Sequence, residues 1–148
     1  MYITLAQLIL FTFYFIFVLS KYGAQKSISE SWYVMKEKWM FSVVLCFGVG
    51  MLQLMHGSVL FFLAGASLCF VGAATDFRSR RTVRITHYIG AFSSIILSLI
   101  ALWQYEVKWP IFIIFALCIG TWRINNRTWW LEIGVFYVIM LGLLEYYI

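Results

Sequence analysis

"MFSVVLCFGVGMLQLMHGSVLFFLAGASLCFVGAA", Met40–Ala74, contains no Asp, Glu, Lys or Arg. Only His56 and Gly57 divide it, leaving the apolar runs Met40–His56 and Ser58–Ala74. At about 1.5 Å rise per residue, about 17 residues are the shortest helix that crosses a hydrocarbon core of about 30 Å. Both runs sit at that limit, so a tight antiparallel hairpin with its ends in the interface is expected. Four more apolar runs flank it: Tyr2–Ser20, His87–Tyr105, Val107–Trp122 and Trp129–Tyr147. The fifth run, Val107–Trp122, is the ambiguous one. Only Pro110–Trp122 is free of charge, a length at which a re-entrant segment competes with a spanning helix.

Composition agrees with the hairpin. Of 148 residues, 64% are hydrophobic and 11% charged, against roughly half and a quarter in a soluble domain. The expected fold is all-α: a polytopic helical bundle of six transmembrane helices forming one integral membrane domain over residues 1–148. An aromatic content of 20% and a single proline argue against disorder. A net charge of +5 would suggest nucleic acid in a soluble chain, but here the basic residues flank apolar runs, which points to topology and to no nucleic-acid partner.

With six spans, one side holds Lys21, Lys26, Lys36, Lys38, Arg78, Arg80, Arg81, Arg84, Arg123 and Arg127, and the other only Lys108. Cytoplasmic loops carry the Lys/Arg excess, so both termini are expected outside the cytoplasm. Re-entry of the fifth run would move Arg123 and Arg127 across and weaken the asymmetry. Trp32, Trp39, Trp103, Trp109, Trp122, Trp129 and Trp130 fall at or near the ends of the runs, where an indole prefers the headgroup layer. The first run lacks a basic region before it and is long for a signal peptide, so it is expected to remain as the first helix. A cytoplasmic (inner) membrane, with multiple passes and basic loops inside, is the expected location.

Cys46, Cys69 and Cys118 all fall inside runs, and no C-x-x-C pair occurs. Small residues four apart make stripes instead: Ser42, Cys46 and Gly50; Gly65, Cys69 and Ala73; Gly90, Ser94 and Ser98. Such stripes let helix backbones approach in lipid, within one chain or between subunits.

Chemistry has few places to reside. Glu30, Asp76, His87 and Glu132 lie near helix ends on the basic side, beside Arg84 and Arg127. Together these six are candidates for holding an anionic lipid headgroup, a metal or a proton in transfer. Each also has a structural reading. Ser27–Glu30 reads S-x-x-E, a capping box opening a helix through "SWYVMKEKW". Asp76 can pair with Arg78 or Arg80. Glu132 lies near a helix N-terminus that favours a carboxylate. His87 can be an interfacial side chain with its tip in water. On the other face, Gln53 and His56 are spaced to share a hydrogen bond. The basic stretch "TDFRSRRTVRITHY", Thr75–Tyr88, also suits anionic lipid, on the order of 1 kcal/mol per cation.

"SISESWYVM" and the later "THYIGAF" resemble patterns in small bacterial membrane proteins, distantly similar to the DRAM/Frag group and to the alkaline ceramidase-like superfamily of metal-dependent membrane hydrolases. The resemblance implies a helical bundle with an embedded serine, aspartate and histidines, and maps onto Ser29 or Ser31, Asp76 and His87. The chain departs from it in having six candidate spans, two histidines in total, and Glu132 where a histidine pair is expected. No metal site and no cofactor is assigned. The leading expectation is a non-enzymatic membrane subunit or binding module that assembles with itself or with a partner membrane protein, among membrane lipids. A lipid- or metal-binding hydrolase with a cytoplasm-facing site is the alternative, and an oligomeric channel, pore or small transporter the second.

Overall fold

The computed structural model describes residues 1–147, and all regular structure among them is helical. Helix α1 covers Tyr2–Tyr22, α2 is the single turn Ser31–Val34, α3 covers Met40–Leu54, α4 Val59–Ala73, α5 Arg81–Gln104, α6 Trp109–Gly120 and α7 Arg127–Tyr146. Helices α1, α5 and α7 are long and apolar enough to cross a membrane; α3, α4 and α6 are apolar but shorter.

The hairpin forms as α3 and α4. Gly57, at φ +77, makes the reversal in a backbone region that costs glycine little. Ser58 then caps α4, its hydroxyl accepting the Leu60 N–H. Helix α1 packs on α3 and α7, α3 on α4, α4 on α5, and α5 on α7, which closes a ring of five helices. Helix α6 stands outside and leans on α7. Pro110, in its first turn, is its only buried residue. The apolar exterior includes Ile9, Phe70, Phe92, Phe112 and Phe115, each more than 60% exposed, as suits a bundle surrounded by lipid.

Several elements differ from the sequence reading. No helix runs through "SWYVMKEKW": α2 stops at Val34 and Met35 is extended, at ψ 137. The break buries Met35, leaves Lys36 and Lys38 exposed, and lets the Lys36 N–H donate to the Tyr22 hydroxyl. Helix α5 starts six residues before His87, so Arg81 and Arg84 belong to its first turns and not to a loop. Nothing between Arg81 and Thr86 breaks a helix. Helix α3 ends at Leu54, placing His56 in the turn. Its first part, Met40–Val49, is wound as a wide π-type helix, which the apolar pattern did not disclose.

Candidate functional site

The site is built on the segment between α1 and α3. Gly23, at φ +74, lets the chain leave α1 sharply. The chain then folds back so that Ile28 is buried and Ser27 accepts the Glu30 N–H at 3.2 Å. Ile28 is held at both backbone groups. Its N–H donates to a Glu132 carboxylate oxygen on α7, and its carbonyl accepts the Ser31 hydroxyl proton. With that proton committed, Ser31 Oγ accepts from the Tyr14 hydroxyl on α1. Ser29, the next residue, is thereby placed against α5.

There Ser29 Oγ lies 2.7 Å from His87 Nε2, and His87 Nδ1 lies 2.9 Å from the Ala74 carbonyl oxygen. A carbonyl only accepts, so Nδ1 carries a proton; in the neutral ring Nε2 then accepts from the Ser29 hydroxyl. The Ala74 carbonyl is available because α4 ends at Ala73, leaving its last carbonyls without helical partners. Phe77 stacks on the His87 ring at 4.5 Å between centroids and Phe41 lies near-parallel at 6.4 Å. His87 is 1% exposed, so the sequence reading of an interfacial side chain with its tip in water is corrected. An imidazole with two protein partners and with Phe77 and Phe41 packed near-parallel to it gains nothing from water.

Ser29, His87 and Glu132 line one cleft of about 350 Å³ between α5 and α7. Its other walls include Phe77, Phe92, Ile95, Leu131 and Val135. Polar groups gathered at one place in an apolar slot are the usual anatomy of a small-molecule site. Behind the same groups lies a smaller cavity of about 50 Å³, lined by Ser29, Glu132, Cys46 and Ser94.

The six ligand candidates divide. His87 and Glu132 share the cleft. Glu30 and Asp76 lie outside it, at the surface: Glu30 pairs with Arg78, while Asp76 accepts the Tyr33 hydroxyl at 3.2 Å. The pairing of Asp76 with Arg78 or Arg80 read from the sequence is absent among the ion pairs of the described residues, the Arg78 guanidinium being taken by Glu30. Arg127 lies over the Trp122 ring at 4.6 Å, and Arg84 is exposed on α5. Glu132 does more than sit near a helix start, since its partner Ile28 belongs to another segment.

The small-residue candidates lie largely within the bundle. Gly50 and Gly65 bring α3 and α4 together, Gly90 meets α4 at the Ser67 carbonyl, and Cys69 lies against Gly50. Ser98 donates to the Ser94 carbonyl at 2.8 Å. Cys46 is buried, Ser42 half-buried and Ala73 exposed.

On the far side of the molecule, Gln53 and His56 are joined through Gln7 and not directly. Gln7 Nε2 donates to Gln53 Oε1 at 2.6 Å and to the Val49 carbonyl at 3.2 Å. Gln7 Oε1 lies 2.6 Å from His56 Nε2, and His56 Nδ1 lies 2.7 Å from the Tyr147 hydroxyl. Gln7 and Tyr14 were not among the candidates read from the sequence, and Ser31 entered only through the family resemblance. A signal existed: the buried residues of α1 are Thr4, Gln7, Phe11, Tyr14 and Val18, one helical stripe that holds polar residues within an apolar run.

The metal implied by the ceramidase-like resemblance does not fit these residues. Both His87 nitrogens are committed, Asp76 faces Tyr33, and no three His, Cys, Asp or Glu side chains converge among the described residues. The chain matches no protein-family model, no curated protein and no solved structure.

Proposed function

We propose that this chain is a six-span protein of a cytoplasmic membrane that binds a membrane lipid in the cleft between α5 and α7. The observation that carries the reading is the cleft itself, with Ser29, His87 and Glu132 among its polar groups and Phe92, Ile95, Leu131 and Val135 along its walls. Apolar walls suit an acyl chain, and hydroxyl, imidazole and carboxyl groups suit the ester or headgroup region. The ten-to-one distribution of Lys and Arg supports basic loops inside and both termini outside. It also supports an anionic leaflet around Arg81 and Arg84.

A second reading, assembly with another copy or a partner membrane protein, draws on α6, whose apolar side chains face outward almost all round. The pore reading draws less, because Gln53 and His56 are both hydrogen-bonded to Gln7.

Reconstitution with a phospholipid carrying a photoactivatable acyl chain tests the lipid site. Crosslinks concentrated on Ile95, Leu131 and Val135, and reduced several-fold by Ala91→Trp in the cleft wall, are expected. Crosslinks spread evenly over outward residues such as Phe112 and Phe115 would reduce the cleft to ordinary bilayer contact.

A further inference from the structure

The pair at the cleft has more order than lipid binding requires. A lipid headgroup needs donors and acceptors free to turn toward it, whereas Ser29 and His87 are already joined at 2.7 Å and the His87 ring is fixed from its far side by the Ala74 carbonyl. A hydroxyl within about 2.6–3.2 Å of a base that a third group orients is the arrangement of an activated nucleophile. Here a backbone carbonyl takes the place that a carboxylate holds in the familiar triad. The tautomer is the productive one, with the Nε2 lone pair directed at Ser29 Oγ and the proton on Nδ1.

We infer that Ser29 is an acyl-accepting nucleophile with His87 as its general base, and that the cleft hydrolyses an acyl ester whose chain lies between α5 and α7. The inference rests on the lipid-binding reading and adds chemistry to it. Ser29 Oγ bonds to the ester carbonyl carbon as its proton passes to His87 Nε2. The bond from that carbon to the alcohol oxygen breaks as Nε2 returns the proton to the departing alkoxide. Water then attacks the acyl-Ser29 ester and gives a proton to Nε2. The carboxylic acid leaves as Ser29 Oγ recovers that proton. No electron is gained or lost, and water is the only co-reactant.

Two neighbouring features serve these steps. The cavity of about 50 Å³ behind Ser29 and Glu132 exceeds the roughly 10–15 Å³ that one water requires, and Ser29, Glu132 and Ser94 give a water polar partners there. Glu132 also holds the Ile28 N–H, one residue before the nucleophile, so the turn carrying Ser29 is anchored to the helix that forms the opposite wall.

The test uses the full chain in lipid nanodiscs, a long-chain alkyl fluorophosphonate as the probe, and intact-mass and peptide analysis. The phosphorus forms a bond to a serine oxygen as fluoride leaves, so only an activated serine is labelled quickly. Expected are one adduct on Ser29, none in Ser29→Ala, and labelling at least about 100-fold slower in His87→Asn, the lower end of what a positioned base contributes. If His87→Asn does not fold, the wild-type rate against pH decides, since the pair requires a rate that rises with the fraction of neutral imidazole and then levels. A rate independent of pH, undiminished labelling in folded His87→Asn, or an adduct on Ser31 in place of Ser29 would overturn the assignment. Photoactivatable lipid applied to the same sample separates the two readings. A lipid-occupied cleft with an unreactive Ser29 removes the chemistry and leaves the binding site, and an empty cleft removes both.

Discussion

Gln7 is a single uncharged side chain in an apolar helix, yet three helices, the turn between α3 and α4, and Tyr147 meet through it. Its amide spans α1 to α3 and the turn, Gln53 continues to Ser98 on α5 at 3.4 Å, and His56 continues to Tyr147. Gln7→Leu keeps the apolar volume but strands Gln53 Oε1 and His56 Nε2, and a buried polar group without its partner costs about 1–3 kcal/mol. Unfolding in mixed micelles should show a loss of that order, and an unchanged midpoint would mean that the stranded groups find new partners. Glu37 has the opposite surroundings. In the exposed segment after α2, its carboxylate accepts from Lys21 and the Tyr22 hydroxyl, both at 2.6 Å. The Lys21 hydrogen bond first, then that of Tyr22, lowers its pKa from 4.5 to about 2. Because the folded value is depressed, the contribution is fully present above the unfolded value and disappears as pH falls from 4.5 towards 2. Glu37→Gln should therefore flatten the acid side of the stability profile, weakly and less so in high salt because the pair is solvent-exposed. Matched melts at pH 6 and pH 3 would decide, and parallel losses in both proteins would rule the carboxylate out. At this scale the sequence disclosed which residues were candidates and not whom they meet. His87, Glu132 and Ser29 come from three segments, and no spacing relates the first turn of α7 to the loop after α1.

Helix α3 carries the same lesson at the scale of elements. Its apolar run and the His56–Gly57 turn were legible because lipid-length runs and glycine turns are local properties. The π-type winding of Met40–Val49 was not, since nearly every side chain there is apolar and no face is marked. Only burial reveals it: Met40 and Phe41, then Leu45 and Cys46, then Val49 and Gly50 face inward, five and then four residues apart. A wider coil with i to i+5 hydrogen bonding suits that spacing, and it places Phe41 by His87 and Cys46 on the smaller cavity. The hairpin depends on how closely α3 and α4 approach. A Cβ on Gly65 would overlap the Gly50 carbonyl oxygen and lie 2.9 Å from the Leu54 nitrogen, both backbone atoms that cannot step aside. Gly65→Leu should therefore destabilise the protein by about 1–3 kcal/mol or more, the usual cost of overpacking. Gly120→Leu, where nothing lies within 4 Å, should be nearly neutral in the same unfolding assay. Equal effects at the two positions would show that the α3–α4 contact is loose in solution.

At the scale of the whole molecule, the six apolar segments were legible in order, but the ring they form was not. Which helix closes on which is decided by contacts such as Phe11 with Phe136 and Tyr137, far apart in the chain. Helix α6 is the segment on which topology turns. Its twelve residues give a rise of about 18 Å, short of a core of about 30 Å, and its neighbours α5 and α7 are long enough to cross. If α6 crosses, by tilt or local thinning of the bilayer, the crossings are even in number and both termini share the outer side. If it re-enters, the crossings are odd, the C-terminus moves to the cytoplasm, and Arg123 and Arg127 are carried to the outer face. The second arrangement forfeits part of the charge asymmetry, because the division of Lys and Arg falls from ten against one to eight against three. A reporter active only outside the cytoplasm, fused after Ile148, should therefore be active, and one fused within the Arg123–Arg127 turn should be silent. Activity at the turn together with silence at the C-terminus would establish re-entry. It would also dismantle the α5–α7 cleft, because Leu131, Glu132 and Val135, near the start of α7, would then lie on the opposite face from Ser29 and His87. The proposed lipid site thus requires that α6 cross, as does the outer position of the C-terminus, whereas the N-terminus keeps its side in either arrangement.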